Sequence, residues 1–372
     1  MAKFCVSFLL TVLLTAFAAA QETVVFESGK EGAASYRIPA IIKLRSGKLL
    51  AFAEARRKGS GDFGDNDIVL KTSSDKGKTW SEQIVVVDNG TLQASNSAPV
   101  VDTLDPRYPK GRIFLFYNTG DKTEREVREG KGTREVWYKT SIDEGRTWSE
   151  AVNITSQVKR SDWRAYANTP GHAIQLAKGK YRGRIFVPVN YSKGEPQRDF
   201  TDYMAAGFYS DDHGKTFHIA GDIGIAGSNE ATAAETSNGD ILLNARNQRG
   251  DHKYRITARS SDGGATWTDV GFDKSLPDPV CQGSLLQIKG KALAFANDAD
   301  QNDRNNLTLR ISNDNGKTWK KSFLVEGASD PKGRDDTAYS DIVLLDSKTI
   351  GVLYERDDYK QIVFKAVIFA RK

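Results

Sequence analysis

Eight polar side chains stand where short apolar runs of this chain give way to turns. Arg37 lies in Tyr36-Arg37-Ile38-Pro39, Arg56 and Asp62 follow Ala53-Glu54-Ala55, and Glu230 precedes a strand in Asn229-Glu230-Ala231. Arg246 closes Leu242-Leu243-Asn244-Ala245-Arg246, Arg304 sits in Asp303-Arg304-Asn305-Asn306-Leu307, Tyr339 begins Ala338-Tyr339-Ser340-Asp341, and Glu355 closes Leu353-Tyr354-Glu355. Guanidinium groups hold planar anions through paired, charge-assisted hydrogen bonds. Carboxylates move protons, and a phenol with an ordinary pKa of about 10 is a poor nucleophile until a base stands beside it. Taken singly, each of these residues is an ordinary solvated strand end. They become chemistry only if the fold gathers them.

The elements that must do the gathering are repeated. An eight-residue phrase, Ser-x-Asp-x-Gly-x-Thr-Trp, occurs five times: Ser73 to Trp80, Ser141 to Trp148, Ser210 to Phe217, Ser260 to Trp267 and Ser312 to Trp319, with Phe in place of Trp in the third copy. Serine-to-serine steps of 68, 69, 50 and 52 residues are long enough for one supersecondary unit each. The phrase suits a turn, with Ser and Asp side chains bonding nearby N–H groups, Gly supplying a positive φ, and Thr-Trp anchoring the next strand. Its regularity points to a structural staple rather than five ligand sites.

A second element recurs upstream of each phrase, a turn followed by a short β-rich run: Gly47 to Phe52, Gly111 to Phe116, Gly183 to Val187, Gly239 to Leu243, Gly290 to Phe295, and more loosely Ser347 to Leu353. Five full units and one partial unit make six. Short apolar strands alternate with Gly/Asn/Asp turns and no segment sustains a 3.6-residue period, so the fold class expected is all-β, a six-bladed β-propeller. The last unit has strand candidates at 340–345, 349–354 and 362–369, and Thr23 to Phe26 is expected to supply its fourth strand and close the ring.

The chain of 372 residues opens with Met1-Ala-Lys3 and an apolar run from Phe4 to Ala20 ending in three alanines. That is the shape of a secretory signal peptide, expected at 1–20, leaving 21–372 as a single domain with no membrane span, secreted or periplasmic. Loss of Lys3 takes the formal net charge from +5 to +4, and one cysteine, Cys281, remains. A lone cysteine forms no internal disulfide, and its expected role is that of a small buried hydrophobe. The mild positive balance suits a small anionic ligand better than nucleic acid, for no basic run with interleaved aromatics occurs. The mixed-sign stretch Asp121 to Arg134 reads as a solvated loop or edge hairpin.

With these motifs in place, the chain resembles the sialidase (neuraminidase) family of bacterial type, the retaining exo-glycosidases of glycoside hydrolase family 33. The resemblance rests on Arg37-Ile38-Pro39, the five repeats known there as Asp boxes (BNR repeats), Phe52-Ala53-Glu54 with Arg56, Asn244-Ala245-Arg246 and Tyr339-Ser340-Asp341, in that order. It implies that Arg37, Arg246 and Arg304 grip the carboxylate of a sialic acid. Arg310, six residues on in the strand leading to the last box, is the rival for the third place. Tyr339 is similar to the family's nucleophile and Glu230 to its base, with Glu235 the rival on the same strand. An anionic nucleophile would be repelled by the substrate's own carboxylate, whereas a neutral phenol is not, and sialidases depart in this way from the two-carboxylate scheme. Asp62, on the loop Gly59-Ser60-Gly61-Asp62-Phe63-Gly64, resembles the general acid/base, with Asp65 and Asp67 as rivals. Glu355 resembles the residue that orients the first arginine, and Arg56 one lining the pocket.

The resemblance implies an exo-α-sialidase acting on sialylated glycans, without cofactor or metal; a monomer is expected, though the sequence itself does not give the oligomeric state. A sialoglycan-binding propeller, or a trans- or anhydro-sialidase, is the alternative on the same scaffold. Other matches are weaker. Gly59 to Gly64 also fits Gly-x-Gly-x-x-Gly, but it leads into a strand, not a helix. Asp298-x-Asp300-x-Asn302 opens like a calcium loop, yet Asp303 stands where Gly is required and Leu309 at position twelve. The four histidines show no metal-ligand spacing. Asn89, Asn153 and Asn306 head glycosylation sequons, which matter only in a glycosylating host.

Overall fold

The computed structural model describes residues 22–328 and 335–370; the expected leader, 1–20, lies outside them. Among the described residues the chain is strand after strand, with two short helices, Glu124–Arg128 and Thr155–Val158. No described helix is long and apolar enough to cross a membrane. Strands such as Ser35–Lys43 and Leu49–Arg56 are buried almost throughout, which is why they read as continuous apolar runs rather than as alternation.

The strands form antiparallel meanders in a β-propeller arrangement. Ser228–Glu235, Ile241–Asn247, Tyr254–Ser260 and Thr268–Pro277 make one four-stranded sheet, and Ser284–Lys289, Ala292–Asp298, Leu307–Ser312 and Lys321–Glu326 another. A five-stranded sheet is built on Trp163–Asn168, Ile185–Lys193 and Tyr203–Ser210. The last sheet runs Glu22–Glu27, Gln361–Ile368, Thr349–Arg356, Thr337–Asp346, so the expected N-terminal strand does pair with the C-terminal one, Val24 opposite Val363. The remaining eight strands form one sheet. Hydrogen bonding therefore delimits five sheets among the described residues where six blades were expected. The cause is a single parallel pair, Asn66 opposite Gln93, that joins two four-strand runs.

Neighbouring sheets pack face to face. Phe114 and Phe116 meet Phe208 and Phe217 in one cluster, while Val343, Leu353 and Phe364 meet Tyr36, Leu49 and Ala53 in another, where the last sheet reaches the first strands. The first strands of successive units also pack against one another and line the axis, except that Ser228–Glu235 packs on Ile185–Lys193 rather than on Trp163–Asn168.

The five repeats are the staples of this arrangement. In the first, Ser73 Oγ donates to Asp75 Oδ1 at 2.8 Å and accepts from Gly77 N at 2.9 Å, and the Thr79 hydroxyl donates to Asp75 Oδ2 at 2.7 Å. The Thr79 N–H also donates to Asp75 Oδ1 at 3.0 Å, and this bond, ahead of those from the Thr79 and Ser73 hydroxyls, lowers the Asp75 pKa to about 2. The same bonds recur at Ser141, Ser210, Ser260 and Ser312. Each repeat glycine presses on the preceding unit: Gly77 on Phe364, Gly145 on Leu50, Gly214 on Phe114, Gly264 on Phe186 and Gly316 on Leu242. At Gly77 the requirement is double, since φ is +85° and a Cβ would lie 2.2 Å from the Phe364 ring. Gly77→Ala is expected to destabilise the protein by about 1–3 kcal/mol in urea unfolding, and an unchanged midpoint would contradict this packing role.

One expectation holds only in part. Residues 121–134 do connect the two strands of a hairpin, Arg112–Gly120 and Arg134–Ser141, and most of them are exposed, but Thr123 caps the helix Glu124–Arg128 in a capping box, and Arg128 and Arg134 are largely buried. Alternating charge signs hid a packed element, because the guanidinium of Arg128 is matched by Asp202 at 2.6 Å, seventy-odd residues away in sequence and invisible to local patterning.

Candidate active site

Along five of the axis-lining strands the register breaks near one end: at Arg37/Ala40, Ser95/Ala98, Trp163/Tyr166, Ser228/Ala231 and Thr337/Ser340. Bulges of this kind re-aim side chains and are common beside active sites. Three of them carry Arg37, Glu230 and Tyr339. The backbone is strained there, for Ile38 has φ +58° and Asn96 φ +54°.

The bulges bring Tyr339, Glu230 and Arg246 together. The Tyr339 hydroxyl donates to Glu230 Oε1 in a short hydrogen bond. Arg246 Nη1 donates to Glu230 Oε2 at 2.8 Å and to the Tyr339 oxygen at 3.1 Å. Burial and the Glu230 carboxylate push the Tyr339 phenol well above its usual pKa, with Arg246 and Arg304 acting against them. The phenol is thus neutral at ordinary pH, beside an acceptor for its proton. Glu235 takes no part, since its carboxylate accepts from the N–H groups of Ala177 and Lys178 at 2.8–3.1 Å. An odd offset along the strand separates the two glutamates.

Arg37 and Glu355 form a second group. Glu355 is fully buried; its Oε1 accepts from Arg37 Nε at 2.7 Å and Ile38 N at 2.8 Å, and its Oε2 from Tyr339 N at 3.2 Å. One carboxylate therefore ties the Arg37 strand to the Tyr339 strand. The Arg37 guanidinium lies 5.5 Å from the Tyr339 ring and 3.9 Å from the Tyr359 ring. Arg304 approaches the Tyr339 ring at 5.8 Å and donates to the Tyr359 hydroxyl at 3.1 Å. Arg310, by contrast, is buried within its strand, where Nη1 donates to Asn297 Oδ1 at 2.7 Å. Three guanidinium groups thus flank one phenol.

Asp62 lies on the expected loop with its side chain 84% exposed, its Oδ1 2.9 Å from Arg56 Nη1. Arg56 is itself buried and held by Glu54 Oε2 at 2.8 Å. Asp67 pairs with Arg57 and Asp65 faces Lys58 at 3.6 Å, so neither shares this place. Asp62, Arg56, Glu230, Arg246 and Tyr339 line one cavity of about 260 Å³.

Several lining residues escape the sequence reading. Glu54 anchors Arg56 and accepts from the Asn96 N–H at 2.9 Å, and burial, ahead of its partners, holds its pKa above the usual range. Glu124, Arg128, Arg134 and Tyr203 form a wall of the cavity, with the Tyr203 hydroxyl bonded to Glu124. Tyr166 offers a buried hydroxyl without a hydrogen-bond partner there. Only the adjacency of Glu54 to Arg56 was available as a signal; the others are assembled by long-range contacts.

Cys281 is fully buried, as expected; Asp298 is buried too, accepts from Thr337 Oγ1 at 2.7 Å, and desolvation pushes its pKa up to about 8. Folding does bring His213 to Asp102 and Asp105, a cluster the spacing did not announce. Its oxygens are already engaged: Asp102 accepts from Leu104 N, Asp105 N, Gln175 and His213, and Asp105 from Arg107.

Comparison with known proteins agrees with this picture. Residues 47–352 match the model of the BNR repeat-like domain. The chain is 32% identical over 347 residues to a sialidase of Micromonospora viridifaciens, taking in 88% of this chain and 51% of that protein. It is 29% identical to a sialidase of Bacteroides fragilis, over 92% of this chain and 64% of that one, and 30% identical to an exo-alpha-sialidase of Aspergillus fumigatus, over 91% and 83%. The chain thus spans about half the length of the first relative and under two thirds of the second. Among solved structures, Hadza microbial sialidase Hz136 superposes with a TM-score of 0.79 at 27% identity, over 93% of this chain and 68% of that one. A leech intramolecular trans-sialidase shares the fold, with a TM-score of 0.76 at 19% identity over 94% of this chain and 70% of that one. A repeat model that spans most of the chain, together with the Aspergillus relative matched along most of its own length, places this chain in the BNR-repeat sialidase family.

Proposed function

We propose that this protein is a retaining exo-α-sialidase that releases terminal α-linked sialic acid from sialylated glycans through a tyrosyl-enzyme intermediate. The observation that carries the reading is the Tyr339–Glu230–Arg246 triangle at the cavity, with Arg37 and Arg304 flanking the same phenol. Three arginines there suit a sugar that bears a carboxylate at its reacting carbon. In the first step the Tyr339 oxygen attacks the anomeric carbon, Glu230 takes the phenolic proton, the glycosidic C–O bond breaks, and Asp62 protonates the departing oxygen. In the second, Asp62 takes a proton from water, the water oxygen attacks the same carbon, and Glu230 returns its proton to Tyr339 as the bond to the enzyme breaks. Two inversions give net retention.

Asp62 must leave Arg56 to act, because the carboxylate oxygen that would reach the glycosidic bond accepts from Arg56 Nη1 at 2.9 Å. Its exposure and the glycines on either side of it leave it room to do so. Asp62→Asn is accordingly expected to lower kcat/KM by about 10²–10⁴-fold for a sugar leaving group, which needs the proton, and much less for an activated phenol. Equal losses with both leaving groups would remove Asp62 from the acid role.

Six blades belong to this reading: the eight-stranded sheet, divided at its single parallel pair, yields two units and the other four sheets one each. With residues 1–20 removed as a leader, the enzyme works outside the cytoplasm, as a monomer. Proton NMR of a sialyllactose digest tests the reaction. Free sialic acid appearing first as the α-anomer fits retention; the β-anomer first would exclude it. An anhydro sugar would favour intramolecular transfer instead.

A further inference from the structure

We propose that Tyr359 is a positioning residue that fixes two of the three carboxylate-binding arginines; the proposal rests on the sialidase reading above. Arg37 and Arg246 each have a carboxylate of their own, Glu355 and Glu230, at 2.7 and 2.8 Å. Among the described residues Arg304 forms no salt bridge within 4 Å. Its hydrogen bonds run from Nη1 to the Tyr359 hydroxyl at 3.1 Å and, weakly, from Nη2 to Val280 O at 3.5 Å. The same hydroxyl donates to Asp335 Oδ2 in a short bond. Tyr359 therefore couples Arg304 to an acidic group without placing that anion against the guanidinium. The face of its ring meanwhile supports Arg37 at 3.9 Å, a cation–π distance.

The backbone beneath Tyr359 is built for this placement. Asp357, Asp358 and Tyr359 have φ of +54°, +53° and +63°, three successive non-glycine residues in the left-handed region. Such conformations are costly for side chains with a Cβ and persist where the surroundings over-determine them. Here Asp357 N and Asp358 N donate to the carbonyls of Asp336 and Asp335, both at 3.1 Å, and the Ser28 hydroxyl donates to Tyr359 O at 2.9 Å. A turn needed only to join two strands would use glycine or asparagine. This one is held in a strained form that presents an aromatic ring and its hydroxyl to two arginines.

A double-mutant cycle with a fluorogenic α-sialoside tests the proposal. Tyr359→Phe keeps the ring on Arg37 and removes the joint to Arg304, and is expected to raise KM about tenfold with kcat within about twofold. In an Arg304→Ala background the same change is expected to alter KM by less than about twofold, because its target is gone. Tyr359→Leu, which also removes the support under Arg37, is expected to raise KM in both backgrounds. No effect of Tyr359→Phe, or an equal effect with and without Arg304, would overturn the proposal. If the wild type turns over no sialoside, the sialidase reading fails first, and the Tyr359 claim is then read from the Kd for free sialic acid. A tenfold weakening in Tyr359→Phe supports it and an unchanged Kd, or no binding by wild type, overturns it.

Discussion

Tyr339→Phe is expected to lower kcat for an α-sialoside by about a thousandfold while leaving KM and stability nearly unchanged. The variant removes one oxygen, and that oxygen is the atom on which Glu230 and Arg246 converge. Glu230 keeps its contact with Arg246 at 2.8 Å, so no buried charge is stranded and the fold should lose no more than about 1 kcal/mol. The three arginines proposed to bind the substrate carboxylate are untouched, which is why KM should hold. A companion variant, Glu230→Gln, is expected to cost a similar factor by removing the proton acceptor. Because the phenol is held neutral by burial and by the Glu230 charge, attack without that acceptor would have to expel a proton from a group whose pKa lies well above its ordinary value. Activity within about tenfold of wild type in Tyr339→Phe would mean that the tyrosine is not the nucleophile.

The largest effect on the fold is expected from Glu355. Its carboxylate satisfies Arg37 Nε, Ile38 N and Tyr339 N at once, at 2.7, 2.8 and 3.2 Å, in a fully buried place. Glu355→Ala leaves a buried guanidinium and two backbone donors without their acceptor. Breaking a buried pair in this one-sided way costs about 3–5 kcal/mol. Urea unfolding should register that loss, and kcat/KM should fall with it, since Arg37 loses its orientation and the Tyr339 bulge loses its tie. Glu355→Gln, which retains an acceptor oxygen, should fall between wild type and alanine in both measurements. If Glu355→Ala unfolds at the wild-type urea concentration, the carboxylate is not the joint between these two strands that its contacts describe.

Much of this architecture is legible in the sequence because repetition exposes it. Five copies of one turn give the unit, and the strand closing the last sheet could be placed at Thr23 to Phe26 by counting what the final unit lacked. The count of sheets was less accessible, since one parallel pair between Asn66 and Gln93 merges two runs, and a single backbone pair leaves no mark in residue types. At the site, strand-end positions of Arg37, Arg246, Glu230 and Tyr339 follow from the hydrophobic runs that precede or follow them, but their roles entered through family resemblance. What local pattern could not give are the bulges that turn Glu230 and Tyr339 toward each other, and the wall formed by Glu124, Arg128 and Arg134. Their partners lie far away in sequence: Arg128 finds Asp202, and Tyr203 finds Glu124. In the stretch 121–134 the exposed residues were legible and the buried Val127 and Arg134 were not, for that reason. Tyr359 was missed because an aromatic residue in a turn beside two aspartates carries no signal until the three left-handed dihedrals and the two arginines are seen together.

The most direct measurement is to trap the covalent intermediate. A 3-fluorosialosyl fluoride should glycosylate one residue with loss of its anomeric fluoride: the electron-withdrawing fluorine at the neighbouring carbon slows both steps, and the good leaving group lets the first proceed. Intact-mass analysis followed by peptide mapping is expected to show one added fluorosialosyl group, carried by Tyr339. The label should be absent from Tyr339→Phe. A label on a carboxylate such as Glu230 or Asp62, or turnover of the probe with no covalent adduct at any time, would contradict the tyrosyl mechanism.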